Sequence, residues 1–151
     1  MTNIAETNAQ LDVFENNFRI GDSFVGKPKR IGVWRTLLIM LHSGDYNPIH
    51  WWPPAAHKEN LPGVVMHGCA HEPLLSGFLK EVLPNGSIAR LSGKTKICSN
   101  VRIGDLVKYS AKVMNVQLRR GTTVVTFDAE AHVGKEMVYF KKSITVILPK
   151  E

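Results

Sequence analysis

The second half of the sequence is a series of strand-like segments, and this pattern constrains the fold more than any other feature. From about residue 86, β-branched and aromatic residues alternate with polar ones over 88–97, 106–116, 122–132 and 137–148. Gly104-Asp105, Arg120-Gly121 and Gly134 separate these segments, and glycine at such positions is typical of tight turns between neighbouring strands. The pattern predicts an antiparallel meander of strands.

The first half of the chain has helical and irregular segments. Residues 33–42 contain enough apolar side chains for a short buried helix. In residues 66–83 the apolar positions 74, 75, 78, 79, 82 and 83 follow the spacing of one buried helical face. Pro84-Asn85-Gly86 would end this helix, and Pro73 predicts that the helix starts near it or kinks there. One long helix beside antiparallel strands predicts an α+β fold in which the sheet wraps the helix.

The length of 151 residues fits one domain with a hydrophobic core. We expect residues 1–20 to form a polar, loosely ordered N-terminal segment and residues 21–151 to form the domain. The longest apolar run, Leu37 to Leu41, is too short to cross a bilayer, and the first eighteen residues lack the basic start of a secretory signal. These features predict a cytoplasmic protein without membrane insertion. Cys69 and Cys98 are predicted to be reduced thiols, Cys69 a buried and inert one.

The positive charge is concentrated in one part of the chain. The formal net charge is +6, and residues 84–122 carry eight lysines and arginines against one aspartate. Such a segment can attract nucleic acid, anionic lipid or a phosphate-bearing substrate, although a solvated sheet face is the simplest interpretation. Nucleic acid is not the expected partner, because Tyr109 is the segment's only aromatic residue for base stacking.

The irregular stretch between the two predicted helices is where we expect a site. Asp45 and His50 are five residues apart, and Asn47-Pro48 between them favours a turn or a helix cap. A carboxylate and an imidazole around one water can exchange protons near neutral pH. Taken alone, a string of this kind more often marks a turn and a packed histidine. His67 and His71 have a helical spacing that could suit a metal, but the sequence offers no third ligand, so no metal is predicted.

Several motifs together are more specific than this string. The segment Ser43-Gly44-Asp45-Tyr46-Asn47-Pro48-Ile49-His50, followed six residues later by Ala56, resembles the hydratase motif of the MaoC-like (R)-specific enoyl-CoA hydratase and 3-hydroxyacyl thioester dehydratase family, whose members have a single hotdog domain. The likeness spans roughly residues 20–148 and continues at His67-Gly68, at Ser76-Gly77 and at the turn Val101 to Asp105. It implies that Asp45 and His50 are the catalytic pair. It also implies that the following residues bind substrate: Asn47, His67, Gly68 and Ser76.

The resemblance implies (R)-specific hydration of trans-2-enoyl thioesters, or dehydration of (R)-3-hydroxyacyl thioesters, by the Asp/His pair acting through one water. The Gly68 backbone N–H would bind the thioester carbonyl oxygen, and no cofactor is needed because only water and protons move. The substrate would be a coenzyme A or acyl-carrier-protein thioester, and its phosphates or acidic carrier could meet the basic segment. The family likeness further implies a homodimer, or a heterodimer with a related hotdog chain.

Three other functions remain as alternatives. The chain could be a dehydratase acting on carrier-protein thioesters, a non-catalytic hotdog protein that binds acyl thioesters, or the partner subunit of a dehydratase complex. A hotdog thioesterase would have no use for the Asp45 to His50 string.

Two segments depart from the family pattern. Trp51-Trp52-Pro53-Pro54 stands where an acidic residue usually caps the next short helix, and the prolines would partly offset that loss. The tryptophans are predicted to pack at a subunit interface or under the substrate tunnel. His71-Glu72-Pro73 is more polar than expected at the start of the central helix. Both changes concern the acyl-chain pocket rather than the chemistry.

Overall fold

A seven-stranded antiparallel sheet packs against one long helix in the computed structural model, which describes residues 18–149. The strands are β1 (Ser23–Val25), β2 (Lys29–Arg30), β3 (Ile88–Arg90), β4 (Thr95–Ile97), β5 (Leu106–Arg119), β6 (Thr122–Val133) and β7 (Glu136–Ile147). The helices are α1 (Val33–Ser43), α2 (Pro53–Lys58) and α3 (His71–Val82), with 3-10 turns at Pro48–His50 and Gly68–Ala70. The predicted α+β class is confirmed.

The sheet order is a meander only in part. β5, β6 and β7 are consecutive neighbours, as predicted, but β3 and β4 pair with β7 instead of β5. The edge of β5 is taken by β1 and β2, two short strands in the half of the chain that was predicted to be helical and irregular. The prediction of four sequential strands is therefore wrong at its first strand.

The predicted strand over 88–97 is two short strands separated by a break at Gly93. A Cβ atom at Gly93 would lie 2.0 Å from the carbonyl oxygen of Lys142, so the two backbones touch at this point. Both β3 and β4 still pair with β7, on either side of this contact. A residue with a side chain could not occupy the break without moving one of the strands.

The core lies between α3 and the inner face of the sheet. The predicted helical face is confirmed at Leu74, Leu75, Phe78 and Leu79, each at most 2% exposed. They belong to one cluster with alternate residues of the long strands, among them Val107, Tyr109, Val113, Val125, Phe127 and Ala131. The apolar face of α3 and the apolar faces of the long strands thus pack together in one core.

α3 starts at the position that its proline favours. Pro73 lies in the first turn, where the helix does not use the backbone N–H that proline lacks. The helix ends before Pro84-Asn85-Gly86, as predicted. Neither α3 nor any other helix within residues 18–149 is long and apolar enough to cross a membrane.

α1 corrects the prediction of a short buried helix. Thr36 is its one buried residue, whereas the side chains of Trp34 and Leu38 are 77% and 66% exposed. Its apolar face is not covered by the described part of this chain.

The predicted N-terminal segment, residues 1–20, is described only from Phe18 onward, since residues 1–17 lie outside the described residues. Phe18 packs on Phe24 and Phe127.

Candidate active site

The loop after α1 brings Asp45 to the site. Gly44 ends the helix in the left-handed conformation with φ of 71°, and its N–H donates to the carbonyl oxygen of Met40. This is the glycine-ended helix terminus that reverses the chain direction. The N–H of Asp45 then donates to Ser43 Oγ, and Asp45 Oδ1 accepts the N–H of Asn47 at 3.2 Å. These bonds hold the carboxylate with Oδ2 left to face the histidines.

Asn47 caps the 3-10 turn that carries His50. Its Oδ1 accepts the N–H of Ile49, and Pro48 occupies the first position of the turn. The predicted capping role of Asn47 is confirmed. The residue predicted to bind substrate therefore has its side-chain oxygen committed to the backbone, although it also lines a surface cavity of about 410 Å³ beside Trp52 and Lys58.

His50 is buried, and a main-chain carbonyl fixes its tautomer. Nδ1–H donates to the carbonyl oxygen of Val65 at 2.8 Å, which leaves a lone pair on Nε2. His50 Nε2 is 3.6 Å from Asp45 Oδ2. Two acceptors at this separation make no direct hydrogen bond, but one water between them can donate a hydrogen to each.

His67 lies against this pair from the other side. Its ring stacks on His50 with a centroid separation of 3.6 Å, and it is 1% exposed. His67 Nε2–H donates to the carbonyl oxygen of Asp45 at 3.0 Å and lies 4.0 Å from Asp45 Oδ2. His67 Nδ1 is buried without a hydrogen-bond partner in the described part of the chain. His67 thus holds the main chain of Asp45 by a hydrogen bond and packs against the ring of His50.

Gly68 begins the 3-10 turn that leads into α3. The first hydrogen bond of this turn is donated by the N–H of Ala70 to His67, so the N–H of Gly68 precedes the bonded part of the turn. A Cβ at Gly68 would meet only Ile97, at 3.5 Å. An exposed N–H at a helix start, without a side chain in front of it, suits a carbonyl oxygen that gains negative charge.

Ser76 lies on α3, beyond the other predicted site residues, and its role in substrate binding stays a prediction. It is two turns along α3 from Gly68, a rise of about 12 Å. There it lines a second cavity of about 360 Å³ with Leu79, Leu83 and Ala89. Asp45, His50, His67 and Gly68 are therefore grouped at one end of α3, and Ser76 stands apart from them.

A polar cluster beside the site, whose members are buried except for Glu72, was not predicted. Glu72 Oε1 accepts hydrogen bonds from Lys141 Nζ at 2.8 Å and from Tyr139 OH at 3.0 Å. His71 stacks on Tyr139, and its Nδ1 shares a 2.6 Å hydrogen bond with Tyr109 OH. The one available sequence signal was a lysine at a core position of a strand, since Lys141 is 3% exposed.

Burial shifts the titration of the aromatic members of this cluster. It lowers the pKa of His71 to about 4, although the negative charge of Glu72 opposes the shift. Burial also raises the pKa of Tyr109 and of Tyr139 above the usual tyrosine range. All three side chains are therefore neutral at pH 7.

The tryptophans are exposed in the single chain, so their predicted packing at a subunit interface stays a prediction, whereas the burial predicted for Cys69 is wrong. Trp51 and Trp52 are 48% and 50% exposed, and the indole N–H of Trp51 donates to the carbonyl oxygen of Tyr46. Pro53 begins α2 in the absence of a side-chain cap, which is the predicted compensation. Cys69 is exposed, so its predicted burial is wrong: it projects outward from the 3-10 turn at the start of α3.

Asp45, His50 and His67 are also the residues that could hold a metal ion, since one ligand atom from each lies within 4.8 Å of the others. The two imidazole rings are nearly parallel, 24° apart, so their nitrogen lone pairs do not converge on one point. His67 Nε2 also carries the hydrogen that it donates to Asp45. The arrangement suits a bound water better than a tetrahedral metal.

Comparisons with known proteins identify the family and the fold. Residues 38–135 match the family model described as the MaoC like domain. A crystal structure of a protein from Archaeoglobus fulgidus is 27% identical, with a TM-score of 0.76 over 90% of this chain and 82% of that one. The (R)-hydratase from A. caviae involved in PHA biosynthesis is 24% identical, with a TM-score of 0.74 over 89% and 99% of the two chains.

A more distant structure has the same fold. A chain of the ChsH1-ChsH2 complex from Mycobacterium tuberculosis is 10% identical, with a TM-score of 0.73 over 88% of this chain and all of that one. No curated protein sequence matches the chain. The predicted hotdog fold is confirmed, as is the resemblance drawn from the motifs.

Proposed function

The chain belongs to the family of MaoC-like domains, and from that premise we propose that it adds water to trans-2-enoyl thioesters to give (R)-3-hydroxyacyl thioesters, and removes it in the reverse direction. The observation that carries the proposal is the gap between His50 Nε2 and Asp45 Oδ2. Both atoms are hydrogen-bond acceptors, 3.6 Å apart, and their neighbours fix both orientations. A water held between them has its own lone pairs free to attack carbon.

The proposed reaction needs only water and protons. An O–H bond of the water breaks as its oxygen bonds to C3, and the proton passes to Asp45 or His50. The electron pair of the alkene moves toward the thioester oxygen, where the N–H of Gly68 stabilises the enolate. C2 then takes a proton from the same pair, so H and OH add to one face and no redox cofactor takes part.

An assay with crotonyl-CoA tests the reaction. We expect the enoyl absorbance to fall in the presence of the protein. Replacing Asp45 by Asn keeps the size of the side chain and removes its charge, so it should lower kcat by about a hundredfold or more. Equal activity in Asp45→Asn would contradict the residue assignment but not the reaction.

The set of substrates must be wide enough to refute the proposal. If crotonyl-CoA is inert, longer and branched enoyl thioesters of coenzyme A and of acyl-carrier protein are assayed in turn. Lack of turnover across this set would sink the hydratase proposal. Binding of these thioesters without turnover would support a non-catalytic acyl-thioester-binding protein or a partner subunit.

We propose a second copy of this chain as the partner. Trp34, Leu38 and Leu41 of α1 are 64–77% exposed and form one apolar face. A contiguous apolar face of this kind, unlike single exposed apolar residues, is typical of an interaction surface. β3 and β4 pair only with β7 within residues 18–149, and an open strand edge favours pairing with another chain.

Sedimentation velocity tests the dimer. We expect the wild-type mass to be twice that of the 16.9 kDa chain and Leu38→Glu to give the monomer, because a buried carboxylate is costly in an apolar interface. Leu118→Glu is the matched control, since Leu118 is 76% exposed on β5, away from α1. A monomeric wild type would contradict the homodimer and leave a related hotdog chain as the partner.

A further inference from the structure

One face of α3 links the carbonyl site to the second cavity. Glu72 and Ser76 are four residues apart and therefore lie on the same side of α3, and Gly68 lies in the 3-10 turn that leads into this helix. Their contacts follow in order: Gly68 faces Ile97, Glu72 faces Thr95 and Lys141, and Ser76 lines the cavity near Ala89. An acyl chain that extends from Gly68 along this face reaches Glu72 first and the cavity afterwards.

The cavity at the far end is large enough to hold part of an alkyl chain. It measures about 360 Å³ and is lined in part by Leu79, Leu83 and Ala89. Between this space and Gly68, however, stands the Glu72 cluster. The length of helix from Gly68 to Glu72 is about 6 Å, so an extended crotonyl group ends before the cluster, whereas an octenoyl group would have to pass it.

Four hydrogen bonds hold the cluster together. Glu72 Oε1 is bonded to Lys141, Tyr139 and Thr95, and Lys141 Nζ donates a second bond of 2.8 Å to Thr95. The side chain of Lys141 is 4% exposed and that of Glu72 is 36% exposed, so the ammonium group is the buried member of the pair. Displacing Glu72 would leave a buried ammonium group without its counter-ion, and breaking a buried ion pair in this way is strongly unfavourable. An alkyl chain laid over the pair would offer no hydrogen bond in return.

We propose that Glu72 and Lys141 close the acyl site one helical turn beyond Gly68 and so restrict this protein to short acyl chains. The inference rests on the proposed function for its placement of the thioester. It assigns chain-length selection to two residues that take no part in the chemistry. The cavity at Ser76 is then a space that the native protein does not use for substrate.

Binding of saturated thioesters tests the proposal without requiring turnover. We expect wild-type protein to bind butyryl-CoA at least tenfold more tightly than octanoyl-CoA in titration calorimetry. kcat/KM for crotonyl-CoA should exceed that for trans-2-octenoyl-CoA in the same proportion. Equal or tighter binding of octanoyl-CoA overturns the proposal. A preserved binding preference without turnover would contradict only the proposed reaction.

A double variant opens the barrier. Glu72→Leu with Lys141→Met removes both charges together, so neither is left buried alone. We expect the ratio of octanoyl-CoA to butyryl-CoA affinity to rise at least tenfold. A change of less than twofold in the folded variant overturns the proposal, and if the variant does not fold, the wild-type ratio decides.

Lys29 and Glu81 provide the matched control. They form an ion pair with the same 2.8 Å N–O distance, and Glu81 lies on the same helix as Glu72. Its partner Lys29 is on β2, at the opposite edge of the sheet from β4. Glu81→Leu with Lys29→Met should leave the affinity ratio unchanged, and an equal shift in both double variants would contradict the assignment to Glu72 and Lys141.

Discussion

Hydrogen bonds to main-chain carbonyl groups determine which ring nitrogen carries the hydrogen in each of the two histidines at the site. The carbonyl oxygen of Val65 requires a hydrogen on His50 Nδ1, and that of Asp45 requires one on His67 Nε2. His50 is therefore a base at Nε2, beside the carboxylate, while His67 is a donor at the same ring position. The two stacked histidines thus differ in role: one accepts a hydrogen at Nε2 and the other donates one.

His67 acts as a positioning residue in this arrangement. His67→Phe keeps an aromatic ring against His50 but loses the donor to Asp45, so we expect kcat to fall about tenfold or more with little change in KM. His67→Gln restores an N–H donor and should recover part of that loss. Equal losses in the two variants would show that packing, rather than the hydrogen bond, sets the rate.

His71 makes stability depend on pH. Its pKa is about 4 in the folded protein and 6.5 when exposed in the unfolded chain, so the unfolded state binds more protons between these values. The free energy of unfolding should therefore fall as the pH drops from 6.5 to 4, by about 3 kcal/mol from this residue. Above pH 6.5 the residue has no effect on the slope.

Urea unfolding at a series of pH values measures this dependence. The slope between pH 4 and 6.5 should be smaller in His71→Gln than in the wild type, whatever the change in absolute stability. The exposed His57 supplies the control, and His57→Gln should keep the wild-type slope. An unchanged slope in His71→Gln would mean that the native protein accepts the proton.

Residue patterns predicted that Asp45 and His50 lie together but not what orients them. The string from Asp45 to His50 is local, and its turn follows from Asn47-Pro48. Val65 contributes only its carbonyl oxygen from fifteen residues away, and such a contact depends on tertiary structure rather than on residue type. The inward lysine at 141 is partnered through Glu72, which lies 69 residues earlier in the chain.

At the scale of elements, the break between β3 and β4 depends on a backbone contact. Gly93→Ala would place a Cβ 2.0 Å from the carbonyl oxygen of Lys142, so a strand must shift, and we expect a loss of about 1–3 kcal/mol in the free energy of unfolding. Gly77→Ala is the contrasting variant. It lies within α3, where the nearest atom is the flexible end of Lys29 at 3.7 Å, and alanine should stabilise the helix by up to about 1 kcal/mol. Chemical denaturation of both variants decides, and equal losses would contradict the role of the contact.

Element types were predictable wherever one period persisted over many residues. The strands β5, β6 and β7 and the buried face of α3 follow directly from alternation and from helical spacing. β1 and β2 are three and two residues long, which is too short to show a period. They pair with the edge of β5 that β6 does not use. Because β1 and β2 occupy that edge, β3 and β4 pair with β7 instead. α1 has the composition of a buried helix, yet residues 18–149 do not bury it.

At the scale of the whole molecule, the fold divides the basic segment into separate surfaces. Lys94 precedes β4 and Lys96 lies within it, next to Ile97, the residue that Gly68 faces. Arg119 ends β5, and Arg120 lies in the turn between β5 and β6. Near the start of β6, Val124 pairs with Ile147 at the far end of β7. That end is about 25 Å from Tyr139, the partner of Ile97 in the sheet.

Charge reversal at the two pairs therefore has different expected results, although the net charge changes equally. Lys94→Glu with Lys96→Glu should raise KM for crotonyl-CoA severalfold and leave kcat within about twofold, because the lysines would attract the phosphates of coenzyme A near the reacting end. Arg119→Glu with Arg120→Glu should leave both constants close to those of the wild type. The KM difference should shrink at high ionic strength, since salt screens exposed charges beyond about 10 Å. An equal rise of KM in both variants would instead indicate a response to total charge, and an unchanged KM in both would make the segment a solvated sheet face.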